Sequence, residues 1–203
     1  SLISAVDDVL AVRISADTAG SIGATVFFER ERDAKVVSVK AAQLDIDGQI
    51  VDIPASDGGY DDNPGGSGPG GAHMRFAGRL VARVTGGTTK EEEDRLTIAH
   101  ADEVLLLFTA CTDFNPELMN SDPSIDPGAE SEVILERLAG KSWDEIRTDH
   151  LADHRSFFDR ISIHLGESPQ DELPTDERLI AIQSGKEDPS LEALYFQFGR
   201  YLL

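Results

Sequence analysis

Apolar residues alternate with polar ones over the first two thirds of the chain and recur at helical spacing over the last third. These are the two periods that separate strands from helices. Leu10, Val12 and Ile14 alternate with Ala11, Arg13 and Ser15, and Val26 and Phe28 alternate with Phe27 and Glu29, which predicts strands with one face turned inward. From Met74 to Val84 the alternation is cleanest, with Met74, Phe76, Leu80, Ala82 and Val84 on one face and Arg75, Arg79 and Arg83 on the other. Leu96 and Ile98 follow, then the continuous apolar run Val104 to Cys111, the pattern of a strand covered on both faces. Asp47-Gly48 between Leu44–Ile46 and Ile50–Ile53 predicts a tight hairpin turn, because this dipeptide tolerates positive φ. Many short strands without intervening helices point to an antiparallel sandwich or barrel.

After Asp113 the period changes. Asp126 followed by Pro127 starts a helix through Leu138 that Gly140 ends. Ser142 and Glu145 form a capping box before a second helix with Trp143, Ile146, His150 or Leu151, His154, Phe157 and Ile161 at helical spacing. Ile161, Ile163 and Leu165 then alternate as one further strand closed by Gly166. Thr175 is expected to cap a short helix from Asp176 to Ser184, stopped by Gly185. Asp188 and Pro189 start a last helix whose Leu191, Tyr195, Phe198 and Leu202 make one apolar stripe in need of a partner surface.

Composition narrows the function classes. With 203 residues, 18 Lys and Arg against 38 Asp and Glu, the formal charge is −20, which disfavours nucleic acid and anionic membrane surfaces as partners. No apolar window is long enough for a membrane-spanning helix. The segment Ser56 to Ala72 is dense in glycine, with Pro64 and Pro69, and reads as a flexible loop. Asp57, Asp61 and Asp62 within it offer oxygens to calcium, but without the spacing of an EF-hand. The chain starts without Met or a signal peptide, and Leu202-Leu203 closes a helical pattern without a cap. Both ends read as cut, so a longer polypeptide is expected and localisation stays open.

Few residues offer chemistry. Arg75, Arg79 and Arg83 form either a ladder for a ligand or, as favoured here, a solvated strand face balanced by acidic neighbours. His150 and His154, one turn apart beside Asp149 and Asp153, could grip zinc, but lack a third ligand and a His-Glu-x-x-His order. Cys111, the single cysteine, excludes an internal disulfide and sits in an apolar run that suggests packing. There is no Gly-x-Ser-x-Gly and no phosphate-cradling loop. Carboxylates are too numerous for spacing alone to pick out a catalytic pair. No catalytic residue, cofactor site or metal site is assigned.

Three groups of segments carry a family resemblance. Asp7 to Ser15, His73 to Leu80 and Ala101 to Ala110 resemble the amino-terminal β-sandwich of glycoside hydrolase family 95, the inverting α-L-fucosidases. Phe157-Phe158-Asp159-Arg160-Ile161, Leu173 to Leu179 and Leu194 to Leu203 are similar, in order, to that family's linker and first barrel helix. The resemblance implies an α+β chain: the carboxy-terminal part of an antiparallel β-sandwich of super-sandwich type over 1–125, a helical linker with a return strand over 126–166, and the first helices of an (α/α)6 barrel over 167–203. The family's general-acid Glu and water-positioning Asn and Asp lie in the barrel beyond the stretch matching Leu203, so none is carried over. The implied partners are the missing barrel, in the same polypeptide, and through it a fucosylated oligosaccharide. The isolated chain is therefore expected to be inactive. One alternative is a non-catalytic module binding glycans or a protein through Arg75, Arg79 and Arg83 or the glycine-rich loop. Another is the related disaccharide phosphorylases, for which no phosphate site is visible.

Overall fold

The structure is a computed structural model that describes residues 1–52 and 71–202. The chain divides into two compact units, Ser1–His150 and Leu151–Leu203. Asp57, Asp61, Asp62 and all but the last two residues of the glycine-rich segment lie outside the described residues.

In the first unit the chain runs through β1 (Leu2–Ser4), β2 (Val9–Ser15), β3 (Ile22–Phe27), β4 (Ala34–Lys40), β5 (Gln43–Asp52), β6 (Gly71–Thr85), β7 (Thr88–Glu91), β8 (Arg95–Ala101) and β9 (Glu103–Thr112). A small hairpin of β10 (Phe114–Asn115) and β11 (Asn120–Ser121) leads to helix α1 (Pro127–Leu138). Six strands form one sheet in the order β1-β2-β9-β6-β5-β4, and three form a second, β3-β8-β7. Every pairing is antiparallel. The fold class expected from the alternation is therefore present: an antiparallel sheet sandwich followed by helices.

Two cores flank the large sheet. Leu44, Ala82 and Val104 pack against Ile22, Leu96, Ile98 and Ala101 of the small sheet. On the opposite face Val9, Ala11, Leu105 and Leu107 pack against Leu135 and Leu138 of α1 and against Ile146. The strand β9 feeds both cores, Val104 on one side and Leu105 and Leu107 on the other, which is why its sequence is apolar without alternation. Ile146 belongs to α2 (Trp143–Phe158). The start of α2 is the predicted capping box, in which Ser142 N donates to Glu145 Oε2 at 2.9 Å and Glu145 N donates to Ser142 Oγ at 3.3 Å. Lys141 ties the segment between the helices down, bonding Asp7 at 2.6 Å and Asp149 at 2.7 Å.

The second unit holds α3 (Thr175–Gln183), α4 (Pro189–Tyr201) and the end of α2. Asp188 caps α4 as predicted, accepting from Leu191 N at 3.1 Å. The residue at the N-cap of α3 is Pro174, without a side-chain hydrogen bond, and Thr175 lies inside the helix.

Three further sequence expectations are corrected. Asp47-Gly48 is no turn: it lies within β5, where Gly48 pairs with Ala34 and Phe76. A Cβ there would sit 2.1 Å from Phe76 Cζ and 2.4 Å from the Asp33 carbonyl oxygen, so close approach rather than positive φ demands the glycine. The hairpin turn is Ala41-Ala42, at φ of 48° and 59°, the two-residue geometry that favours Asn-Gly. Ile161–Leu165 forms no strand, and α2 ends at Phe158 rather than running to Ile161. That stretch has no strand beside it among the described residues, and alternation without a neighbour leaves the ladder bonds unmade. Instead Arg200 donates to the carbonyls of Phe158 and Ile161, closing the end of α2. The third correction concerns the arginines of β6, taken up below.

Replacing Ala41-Ala42 by Asn-Gly is expected to raise the stability of the chain by about 1 kcal/mol, because both positions already hold positive φ. Gly48→Ala should cost about 2 kcal/mol or more through the clash with Phe76 and the Asp33 backbone. Urea unfolding of the two variants checks both signs.

Candidate functional site

Arg75, Arg79 and Arg83 share one face of β6, as their spacing predicted, but that face is covered rather than solvated. Alternation shows which residues share a face, not what lies over it. Arg79 is 7% exposed and stands beside Asp45, its register partner on β5, itself 5% exposed. Its Nη1 donates to Asp47 Oδ1 at 2.7 Å and to the carbonyls of Ile46 and Gly78. Its Nε lies 3.6 Å from Asp45 Oδ1 and 3.4 Å from Glu132 Oε1 of α1, at ion-pair distance without a hydrogen bond. Gln43 completes the cluster, donating to both Asp45 and Glu132.

The outer two arginines hold the ends of the helix. Arg75 Nε donates to Asp113 Oδ2 at 2.9 Å, and its Nη2 reaches the carbonyls of Pro123 and Ile125 just before α1. Arg83 donates to the carbonyls of Leu138 and Lys141, supplying partners to the last turn of α1, where intrahelical donors run out. Burial pushes the Arg83 guanidinium below its ordinary value, and the negative end of the helix dipole faces it. The row therefore fastens α1 along its whole length.

A polar cleft of about 430 Å³ opens where this cluster meets the start of α1, lined in part by Asp47, Arg75, Phe76, Arg79, Asp126 and Glu132. It gathers carboxylates, yet each is engaged. Asp47 and Glu132 pair with Arg79, and Asp126 accepts from Gly128 N at 3.0 Å and Ala129 N at 3.3 Å as the cap of α1.

The second unit is organised by a different pair. Arg178 of α3 and Asp188 at the start of α4 are 8% and 1% exposed and form a two-pronged ion pair, with distances of 2.9 and 2.7 Å. Arg178 Nη2 also reaches Asp171 at 3.1 Å, and Ser190 bonds the same Asp171. Hydrogen bonds from Arg178 hold the Asp188 carboxyl well below the usual carboxylate range. The sequence motif Leu173 to Leu179 thus contains the arginine that joins the two helices, a role no local pattern revealed. Beside this pair lies a groove of about 640 Å³ lined by Leu179, Ile182, Leu191, Leu194, Tyr195 and Phe198, with Glu192 as the one acid among its lining residues. The predicted stripe of α4 forms its wall, with Leu191 buried and Tyr195 79% exposed.

The remaining candidates take structural places. His154 stacks on Phe158 with ring centroids 5.1 Å apart and meets the edge of Tyr201 at 5.7 Å. Among the described residues no group of three His, Cys, Asp or Glu side chains is gathered as a metal would require. Asp149 pairs with Lys141. Cys111 is a partly buried free thiol on β9. No helix among the described residues is long and apolar enough to cross a membrane.

Comparison with known proteins gives this geometry a family. Residues 1–117 match the model described as the glycosyl hydrolase family 65 N-terminal domain, and residues 142–203 match that of the glycosyl hydrolase family 95 catalytic domain. Alpha-L-fucosidase 2 of Arabidopsis thaliana is 30% identical over 216 residues of alignment, which takes in 97% of this chain and 25% of that protein. The chain spans about a quarter of the length of the curated relative it matches.

Arg83→Ala should cost about 1 to 2 kcal/mol by stripping two carbonyl partners from the end of α1, measurable as a shift in the urea midpoint. A pH titration tests the second pair. The unfolded chain protonates Asp188 near the ordinary value of about 3.9, above its folded value. Stability from this carboxylate is therefore fully present above about pH 4 and is lost as pH falls through the folded value. Asp188→Asn should lower the helix stability of the second unit at neutral pH and flatten this acid dependence, followed by circular dichroism. An unchanged acid profile would count against the assignment.

Proposed function

Since the chain belongs to the glycosyl hydrolases of family 95, with an N-terminal domain of the family 65 type, we propose that it is the non-catalytic supporting portion of an α-L-fucosidase. The enzyme in which it serves hydrolyses terminal α-L-fucosyl linkages in oligosaccharides. In this reading residues 1–125 belong to the sandwich, 126–166 link it to the barrel, and 167–203 are the first barrel helices. The observation that carries the proposal is a contrast within the chain. Likeness to a fucosidase extends over 97% of its residues, yet the groove in the stretch matching the catalytic-domain model is apolar, with Glu192 as the single carboxylate on its lining. Hydrolysis with inversion needs two carboxyl groups, about 6.5 to 9.5 Å apart, flanking the scissile bond. The polar cleft in the first unit supports the same reading, because its carboxylates are committed to Arg79 and to the cap of α1.

The binding-module alternative draws no support from the arginine row, whose members are spent on α1 and the segments beside it. The purified 203-residue chain is expected to release no fucose from a 2′-fucosylated oligosaccharide, measured by enzymatic detection of free fucose. Fucose release above the buffer control would overturn the proposal, and saturable binding on a glycan array would favour the module instead.

A further inference from the structure

Several of the positive charges of this chain are turned onto its own backbone, while the acids crowd its surface. Arg83 spends its guanidinium on the carbonyls of Leu138 and Lys141, and Arg200 on those of Phe158 and Ile161. Neither meets a carboxylate among the described residues. Lysines, the cations that ordinarily stud a surface, number only five against thirteen arginines. Cations used in this way neutralise no acid, so the surface is more negative than the net charge of −20 shows. At the turn between β7 and β8 four acids follow one another, Glu91 to Asp94. Lys90 pairs with Glu92 at 2.8 Å and Arg95 with Asp94 at 2.7 Å, and Glu93 is left exposed without a partner among the described residues. On α2, Glu145 and Asp149 stand one turn apart, a like-charge pair that disfavours the helix.

We propose that concentrated monovalent salt is a condition of this fold. A diffuse atmosphere of cations, held at no single site, screens the surface carboxylates and shifts the chain from a loosened state to the packed one. Two effects of salt compete, and the charge balance decides between them. Salt weakens exposed ion pairs, but such pairs contribute little to stability. It also weakens repulsion, which acts between every pair of like charges and opposes compaction in a chain this far from neutrality. The pairs that order the two units, Arg79 with Asp45 and Arg178 with Asp188, are buried and are screened much less. Salt therefore removes the repulsion and leaves the internal framework in place. The inference concerns the surface of the chain and stands whether or not the proposed function holds.

The test is urea unfolding of the 203-residue chain, followed by circular dichroism, in KCl from about 0.05 M to about 2 M. The midpoint is expected to climb by about 1 M or more across that range. A variant carrying Asp17→Lys, Glu29→Lys, Glu93→Lys, Glu117→Lys, Glu167→Lys and Glu187→Lys separates screening from the strengthening of apolar burial by salt. All six acids lie outside helices and strands, exposed and without a side-chain partner among the described residues. At low salt the variant should unfold at a higher urea concentration than the parent, and its rise with KCl should shrink to roughly half or less. NaCl in place of KCl should give the parent the same rise. A parent midpoint that falls or stays level with salt, or a chain unfolded at every salt concentration, would overturn the proposal. So would a variant as salt-dependent as the parent, or a rise given by one cation alone, which would assign the effect to a bound ion.

Discussion

A guanidinium buried beneath a helix sets the order of the first unit. Arg79 cannot stand under α1 uncompensated, since burying a lone charge costs several kcal/mol. Its surroundings answer that requirement from three directions, with Asp45 and Asp47 on β5 and Glu132 on α1. Once those partners are fixed, so is the register of β5 against β6 and the position of α1 across the sheet. Arg75 and Arg83 extend the constraint to the segment before the helix and to its last turn. The apolar contacts of Leu135 and Leu138 supply the burial, and the charged row supplies the direction.

That division explains what was legible in the chain. Alternation reports which side of a strand is apolar, so β2, β6 and β9 could be read directly, and the two-sided burial of β9 was visible as an unbroken run. Caps are local, so Asp126, Ser142 and Asp188 announced their helices. The covering of the arginine face was not legible, because arginines on a strand look the same whether water or a helix lies over them. Asp47-Gly48 misled for a related reason: a glycine demanded by Phe76 and the Asp33 backbone, both close only in space, is indistinguishable in sequence from one demanded by a turn. The short strands β1 and β7 carry too little pattern to stand out, and the strand expected over Ile161–Leu165 has no neighbour to pair with among the described residues. The pair Arg178–Asp188 spans two helices and left no periodic signature.

The same long-range view bears on function. Residues that could have served recognition or chemistry are occupied within each unit: the arginines grip α1, the carboxylates of the polar cleft are paired or capping, and His154 lies among aromatic rings. The groove between α3 and α4, by contrast, is exposed and apolar. Internal framework of this kind, beside an exposed apolar groove, is suited to supporting other polypeptide. That is the role proposed for it within a glycosyl hydrolase.

The central claim, that the β6 arginines are internal framework, is tested most directly by a double-mutant cycle between Arg79 and Asp45 in urea unfolding. The account predicts that Arg79→Met and Asp45→Leu each cost about 3 kcal/mol or more, by leaving the other charge buried, and that the double variant recovers much of the loss. Single-variant costs within about 0.5 kcal/mol of zero, or costs that simply add, would contradict it.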